Sequence, residues 1–443
     1  MPAAPGRTPT QLMPRCFLPA SFLPASFLIA LFLIVSALLV PASARAGTGD
    51  RAMVRPATVI AAFDRAGVRT IVAEGLADRR TGRAVTADSP VRVASVSKLV
   101  TALGVLRLVD RGVLDLDRDV SVYLGWQLRH PAFPDQAITL RMLLSHTSGM
   151  VDGEELYLIP LGETLRERLA DPRVWDHAHA PGSGWFHYAN INFPVVASVM
   201  EAATGNRFDA VMRKEVLGPL RLDACFNWSG CSPAALRRAV VLYRASGEVA
   251  RDDLRGRLPD CLVLTREGAV CDLYGYVPGS NGALFSPQGG LRISMRDLAR
   301  LGQMLGRGGR GFLSPASFAE LTRAQWRWTG PESGGVDEGG AADGLFCAYG
   351  LGTHLIGHTA PFCRDDLFAD GTTRIGHPGA AYGLRSGLWL DPASGRGAVW
   401  FSTALAPDGP PGHRSAFSLA EETLADRAKI GQSRRPQTYP AER

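Results

Sequence analysis

The chain has 443 residues, 46% of them hydrophobic and 20% charged, which is close to average usage and excludes a disordered or fibrous protein. Its net charge is +6; Arg7, Arg15 and Arg45 lie in the first 46 residues, and the remainder carries 45 basic against 42 acidic side chains. That balance, with no basic run interleaved with aromatics, argues against a nucleic-acid partner.

Residues 17–40, FLPASFLPASFLIALFLIVSALLV, are uncharged. With Arg7 and Arg15 before it and Ala44-Arg45-Ala46 after it, this run reads as a signal peptide over residues 1–46. The alternative is an uncleaved anchor, since 24 apolar residues can span a bilayer; Pro19 and Pro24 shorten the run and favour cleavage. Either way residues 47–443 are expected in the periplasm or outside the cell, with membrane contact only through an uncleaved segment.

ATVIAAF and RTIVAEGLA are apolar, β-branched runs separated by DRAG, which predicts a hairpin near 57–77. A helix starts near Ser95, with an apolar stripe at Leu99, Ala102, Leu103, Leu106 and Val109 and Gly112 at its C′ position. Residues 115–270 read as mainly helical, broken by Pro and Gly loops. GGLRISMRDLARLGQML (289–305) reads as a further helix, with Ser294 as cap and Asp297 in its first turn. TRIGHPGAAYGLRSGLWLDP and GRGAVWFSTAL are strand-like runs joined by DPASGR, and SAFSLAEETLADRAKIG closes the chain as an amphipathic helix. The implied fold is α/β of the α+β type: one antiparallel sheet built from both chain ends (47–94 and 286–443), flanked by helices, with an inserted, mainly helical region (95–285).

Apart from Cys16 the cysteines fall into local pairs, Cys225 with Cys231, Cys261 with Cys271 and Cys347 with Cys363. Six cysteines allow fifteen connectivities, but short loops close most readily, and an exported chain favours disulfides. Segment 225–271 would then form a stapled flap. None has the C-x-x-C spacing of a zinc or redox site.

Only three lysines occur, Lys98, Lys214 and Lys429; the other 45 basic positions are arginine. Arginine stays protonated, whereas a buried lysine can lose its proton and act as a base. Lys98 stands three residues after Ser95, on the same helix face. An S-x-x-K match arises by chance in about one such chain in five, so the pair gains meaning from two later motifs: Tyr188-Ala189-Asn190 in PGSGWFHYANINF, and His377-Pro378-Gly379 in RIGHPGAAYG.

With these three motifs in order, and with LLSHTSGM (143–150), PQGGLRISMRDLARL (287–301) and YGLGTHL (349–355), the chain resembles the serine β-lactamase and penicillin-binding DD-peptidase superfamily in its Y-x-N, class C-like branch. The resemblance covers residues 57–428. It implies Ser95 as nucleophile, Lys98 and Tyr188 as the proton-transfer pair, and Asn190 bridging Lys98 and a substrate amide. It further implies an exposed third-motif edge strand carrying His377 and Gly379, on which the Ala380 N–H joins that of Ser95 in an oxyanion hole. Pro378 suits such an edge. At a helix start, free N–H groups would surround Ser95. For Lys98 to act near neutral pH its pKa must fall from about 10.4 to about 7, a cost of about 4 kcal/mol that burial and a positive neighbour would supply.

His377 stands where many β-lactamases carry lysine, which points toward DD-peptidase, esterase or aminopeptidase relatives. The resulting expectation is an exported serine hydrolase that cleaves an amide or ester through an acyl-enzyme, without metal or organic cofactor. Its first substrate class is a D-amino acid peptide of cell-wall type, including peptidoglycan fragments, and its second a small ester. A class C type β-lactamase, or a penicillin-binding sensor without turnover, is the alternative. His354 and His358 are spaced as a metal pair but lack the glutamate of H-E-x-x-H. Asp176, His177 and His179 resemble a metal run, and GRGGRG (306–311) a dinucleotide motif, but each reads as a loop. His146 reads as structural.

Overall fold

The computed structural model describes residues 56–250, 258–337 and 343–433; the expected signal segment lies outside them. The N-terminal hairpin forms as its sequence implies, with β1 (Thr58–Phe63) and β2 (Val68–Glu74) antiparallel. Six later strands complete the sheet: β3 (Trp326–Arg327), β4 (Ala348–Tyr349), β5 (His354–Ile356), β6 (Arg374–Ala381), β7 (Leu384–Asp391) and β8 (Arg396–Ser402). The order is β2-β1-β8-β7-β6-β5-β4-β3, antiparallel throughout. Both chain ends therefore build one sheet.

Successive side chains of β1 point to opposite faces of the sheet, and the strand is buried along its whole length because both faces are covered. Val59, Ala61 and Phe63 join Leu388, Val399 and Phe401 in the main core, which also holds Leu298, Leu301 and Leu305 of α3 (Met295–Gly306). Ile60, Trp389 and Trp400 point the other way, onto Leu424, Ala425 and Ala428 of α4 (Leu419–Ser433). The sheet is covered on both faces.

The first helix, α1 (Val96–Asp110), is buried almost all round, beyond the single apolar stripe expected of it. The inserted region is less helical than expected. After α1 its longest described helix is α2 (Asn192–Thr204), and between Arg238 and Leu291 no described residue belongs to a helix or to a strand of any sheet. Proline and glycine interrupt the short helical patterns, and hydrogen bonds between remote loop segments replace the ladder, such as Leu161 N–H to Leu264 O and Leu165 N–H to Ser280 O. The segment read as one helix over 289–305 begins instead with a short strand, Leu291–Ile293, paired with Val91–Arg92 and Cys225–Phe226; the helix comes next, capped by Ser294, which accepts the Asp297 N–H at 3.1 Å. All three expected disulfides are present.

One buried acid ties this irregular region to α2. Glu201 accepts the N–H groups of Phe208 (2.7 Å) and Gly279 (2.9 Å) and the Tyr276 hydroxyl. Burial pushes its carboxyl from 4.5 to about 7, against the pull of those hydrogen bonds. Because the folded pKa lies above the unfolded one, this stabilisation is complete below about pH 4.5 and is lost as pH rises through about 7, a change of about 3 kcal/mol. Thermal melts should therefore show Glu201→Gln gaining stability relative to wild type between about pH 5 and about pH 8; a difference independent of pH would contradict this.

Candidate active site

Ser95 begins α1 without capping it: the residue is helical in φ and ψ, and its side chain accepts no cap hydrogen bond. The preceding Ala94 is held at φ +45°, a left-handed conformation that costs a non-glycine residue about 1–3 kcal/mol and recurs at functional sites. The expected free N–H groups beside Ser95 are already engaged. Those of Val96, Ser97 and Lys98 donate back to Val93, Ala94 and Ser95 carbonyls at 3.2, 2.9 and 3.0 Å, because the turn closes one residue early.

Lys98 has no exposed surface. Its Nζ donates to Ser95 Oγ at 3.0 Å, to Asn190 Oδ1 at 2.7 Å and to the Gln288 carbonyl at 3.4 Å. It also stands 4.7 Å from the centre of the Tyr188 ring and 5.4 Å from that of Phe193. Segment 286–291 is bolted to α1 by Thr101 Oγ1, which donates to Pro287 O at 2.9 Å, and by the Leu291 N–H, which donates to Ser97 Oγ at 3.0 Å. The S-x-x-K and Y-x-N motifs, remote in sequence, thus meet at one ammonium.

Asn190 is fixed from behind. Asp152, itself buried, accepts Asn190 Nδ2–H at 2.8 Å and the Ile191 N–H at 2.8 Å, which turns the amide oxygen toward Lys98. Tyr188 packs against Phe346, with ring centres 5.2 Å apart and 16° between planes, and against His146 at 4.5 Å. His146 accepts the Ala189 N–H on Nδ1 at 3.1 Å, in agreement with a structural role. Burial first, and the Lys98 charge second, push both His146 and His377 well below the ordinary histidine range. The positive neighbour expected for Lys98 is therefore not a histidinium.

The third motif lies on β6. Its expected edge character holds over half the strand: β5 pairs with Arg374–Gly376, and beyond that point only β7 pairs with it, so His377–Ala381 border an open cleft. Gly379 packs under the loop that carries Ser95. A Cβ there would lie 2.3 Å from Ser386 Oγ, 2.4 Å from Val93 O and 3.3 Å from Ala94 Cβ, so only glycine permits the approach. Ser386 Oγ donates to Val93 O at 2.9 Å and locks sheet to loop. Ala380 is exposed on the cleft side. His377 is buried, and both its nitrogens are engaged: Nδ1–H donates to Pro378 O at 2.6 Å, and Nε2 accepts the Tyr349 hydroxyl at 2.8 Å. It is a neutral brace, not a cation.

The cleft holds about 830 Å³ and is lined by Ser95, Tyr188, Asn190, His377, Gly379 and Ala380 among others. All seven residues singled out in the sequence meet there or directly behind it. Asp152, Gln288, Tyr349 and Phe346 carry no such sequence signal of their own. Three of them lie in or beside stretches already suggestive: Asp152 two residues after LLSHTSGM, Gln288 in PQGGL, and Tyr349 at the head of YGLGTHL. The other candidates lie elsewhere. His354 Nε2–H donates to Leu345 O at 2.9 Å, His358 pairs with Asp365 at 2.7 Å, and His179 pairs with Asp176 at 2.8 Å. GRGGRG is the turn after α3.

Comparison with known proteins agrees with this geometry. The β-lactamase family model matches residues 48–421. Esterase EstB of Burkholderia gladioli is 31% identical over 59% of this chain and 68% of its own length. Monacolin J acid methylbutanoyltransferase of Aspergillus terreus is 28% identical over 49% of this chain, which spans 55% of that protein. Among solved structures, the hydrolase EstCE1 superposes with a TM-score of 0.60 at 22% identity, covering 85% of this chain and 93% of its own. D-amino acid amidase from Ochrobactrum anthropi gives 0.59 at 19%, covering 86% and 93%; both share the fold. The chain belongs to the β-lactamase family and is a serine hydrolase.

Proposed function

We propose that this protein is an exported esterase that works through an acyl-enzyme on Ser95. The observation that carries the reading is the 3.0 Å hydrogen bond between Ser95 Oγ and the wholly buried Lys98. In the molecules whose Lys98 has lost a proton and is a neutral amine, Ser95 Oγ attacks the ester carbonyl while its proton passes to the Lys98 Nζ lone pair, and the new oxyanion lies between the N–H groups of Ser95 and Ala380. Tyr188 relays the proton to the departing alcohol, and water then cleaves the acyl-enzyme by the same groups in reverse. Asn190, held by Asp152, positions Lys98. His377 positions β6 through Pro378 and Tyr349. Three disulfides fit an oxidising compartment outside the cytoplasm.

Ester ranks above cell-wall peptide and β-lactam, reversing the order expected from sequence. Peptide termini and β-lactams carry a carboxylate close to the scissile bond. At the start of the third motif the side chain that would face it is the neutral His377. A carboxylate desolvated there without a partner loses about 30-fold or more in affinity. The esterase and acyltransferase names among the relatives lean the same way.

The kcat/KM for p-nitrophenyl butyrate should therefore exceed that for a D-alanyl-D-alanine peptide or a chromogenic cephalosporin by about 30-fold or more. A preference for the peptide or the cephalosporin would overturn the ester assignment. Asp152→Ala frees the Asn190 amide, and kcat should fall about ten- to hundredfold, as loss of a hydrogen bond to a charged group implies. Asp152→Asn, which keeps one acceptor, should fall less. Steady-state kinetics on variants with unchanged circular dichroism decides this, and an unaltered kcat in Asp152→Ala would remove Asn190 from the machinery.

A further inference from the structure

Two carboxamide side chains stand in the cleft wall that also holds Ser95, those of Asn190 and Gln288. Asn190 has both ends engaged: Oδ1 accepts from Lys98 at 2.7 Å, and Nδ2–H donates to Asp152 at 2.8 Å. Gln288 differs. It is only 5% exposed, and its Oε1 is enclosed and accepts no hydrogen bond from any described residue. An enclosed acceptor without a donor is unfavourable in a resting protein, and such a group in the wall of a site points to a role in the reaction. Half a turn about the last side-chain bond exchanges Oε1 with Nε2, so the amide can present either an acceptor or a donor to the cleft.

The backbone around Gln288 is held on both sides. Pro287 O accepts Thr101 Oγ1 at 2.9 Å, Gly289 O accepts Arg92 Nε at 2.9 Å, and a Cβ on Gly289 would lie 3.9 Å from Ala94 Cα. The carbonyl of Gln288 itself accepts Lys98 Nζ at 3.4 Å. The carboxamide therefore extends from a backbone fixed beside the base. In the acyl-enzyme reading the carbonyl oxygen goes to the Ser95 and Ala380 N–H groups, and the departing alcohol goes to Tyr188. The reactant still to be placed is water, which donates and accepts as a carboxamide does.

We propose that the Gln288 side chain holds the water that cleaves the acyl-enzyme, and that it serves this second half-reaction alone. The proposal rests on the acyl-enzyme reading above. Once the alcohol has left with its proton, Lys98 is again a neutral amine. The water, hydrogen-bonded to the Gln288 amide, gives one proton to the Lys98 Nζ lone pair while its oxygen bonds to the acyl carbon. The bond from that carbon to Ser95 Oγ then breaks, and the proton on Lys98 passes to Oγ. The products are the free acid and the starting serine.

The test is Gln288→Met, which keeps the length of the side chain and removes both hydrogen-bonding ends, with Ser95→Ala alongside. For p-nitrophenyl butyrate, kcat/KM reports acylation, because release of p-nitrophenol is the first irreversible step; kcat reports deacylation. In Gln288→Met, kcat should fall about tenfold and KM should fall in step, so that kcat/KM stays within about twofold of wild type. The butyryl group on Ser95, followed by intact mass after acid quenching, should persist about tenfold longer. An apolar chain in place of the unpaired amide should leave the melting temperature unchanged or higher, which separates this effect from loss of folded protein. A fall in kcat/KM equal to that in kcat would put Gln288 in substrate binding or acylation and overturn the proposal, as would an unchanged kcat. An active Ser95→Ala protein would instead remove the acyl-enzyme reading, and the role of Gln288 with it.

Discussion

An ammonium group removed from water needs hydrogen-bond acceptors, and the need of Lys98 organises this molecule. An unpaired buried charge costs several kcal/mol, yet Lys98 has no exposed surface. Its three named acceptors come from three remote parts of the chain: Ser95 at the head of α1, Asn190 before α2, and Gln288 beyond the irregular region. Movement of any one of them breaks a hydrogen bond to the lysine. Asp152 behind Asn190, and the Thr101 and Ser97 hydroxyls that clamp segment 286–291, extend the same restraint outward.

The sheet supplies the second half of the site by close approach. Gly379 is pressed against Val93 and Ala94, and Ser386 ties the neighbouring strand to Val93. The strained Ala94 is held where the two contacts meet. A side chain on residue 379 would separate β6 from the loop that carries Ser95, so the glycine of the third motif is there for distance. His377 is buried for a related reason. By donating to Pro378 O and accepting from Tyr349, it fixes the strand that carries Ala380.

Much of this can be read from the chain because the signals are local. β1 and β2 are apolar, β-branched runs split by a short polar turn, Ser294 caps α3, Gly112 stands just past the last turn of α1, and the cysteines pair with their near neighbours. Ser95, Lys98, Tyr188 and Asn190 are legible because their motifs are short and ordered. What escapes depends on partners far away in sequence. Nothing in the composition of 239–290 reveals that its backbone groups bond to other loops such as Leu161 and Leu165, so the sequence suggests helical periodicity where no element forms. Asp152 is one acid among 42, and only its contact with Asn190 sets it apart. The neutrality of His377 likewise stems from Tyr349 and Pro378, and a histidine letter alone leaves it open. The β6 edge is half legible, since Pro378 marks the open part but says nothing of β5 beside Arg374–Gly376.

The account stands or falls with Ser95 as the reacting atom. The most direct measurement is time-dependent inactivation by a fluorophosphonate, with the modified peptide mapped by mass spectrometry and Ser95→Ala treated in parallel. The account predicts loss of esterase activity in step with one phosphonyl group on the peptide bearing Ser95, and neither label nor turnover in the variant. Stoichiometric label on another residue, or an active Ser95→Ala protein, would contradict it.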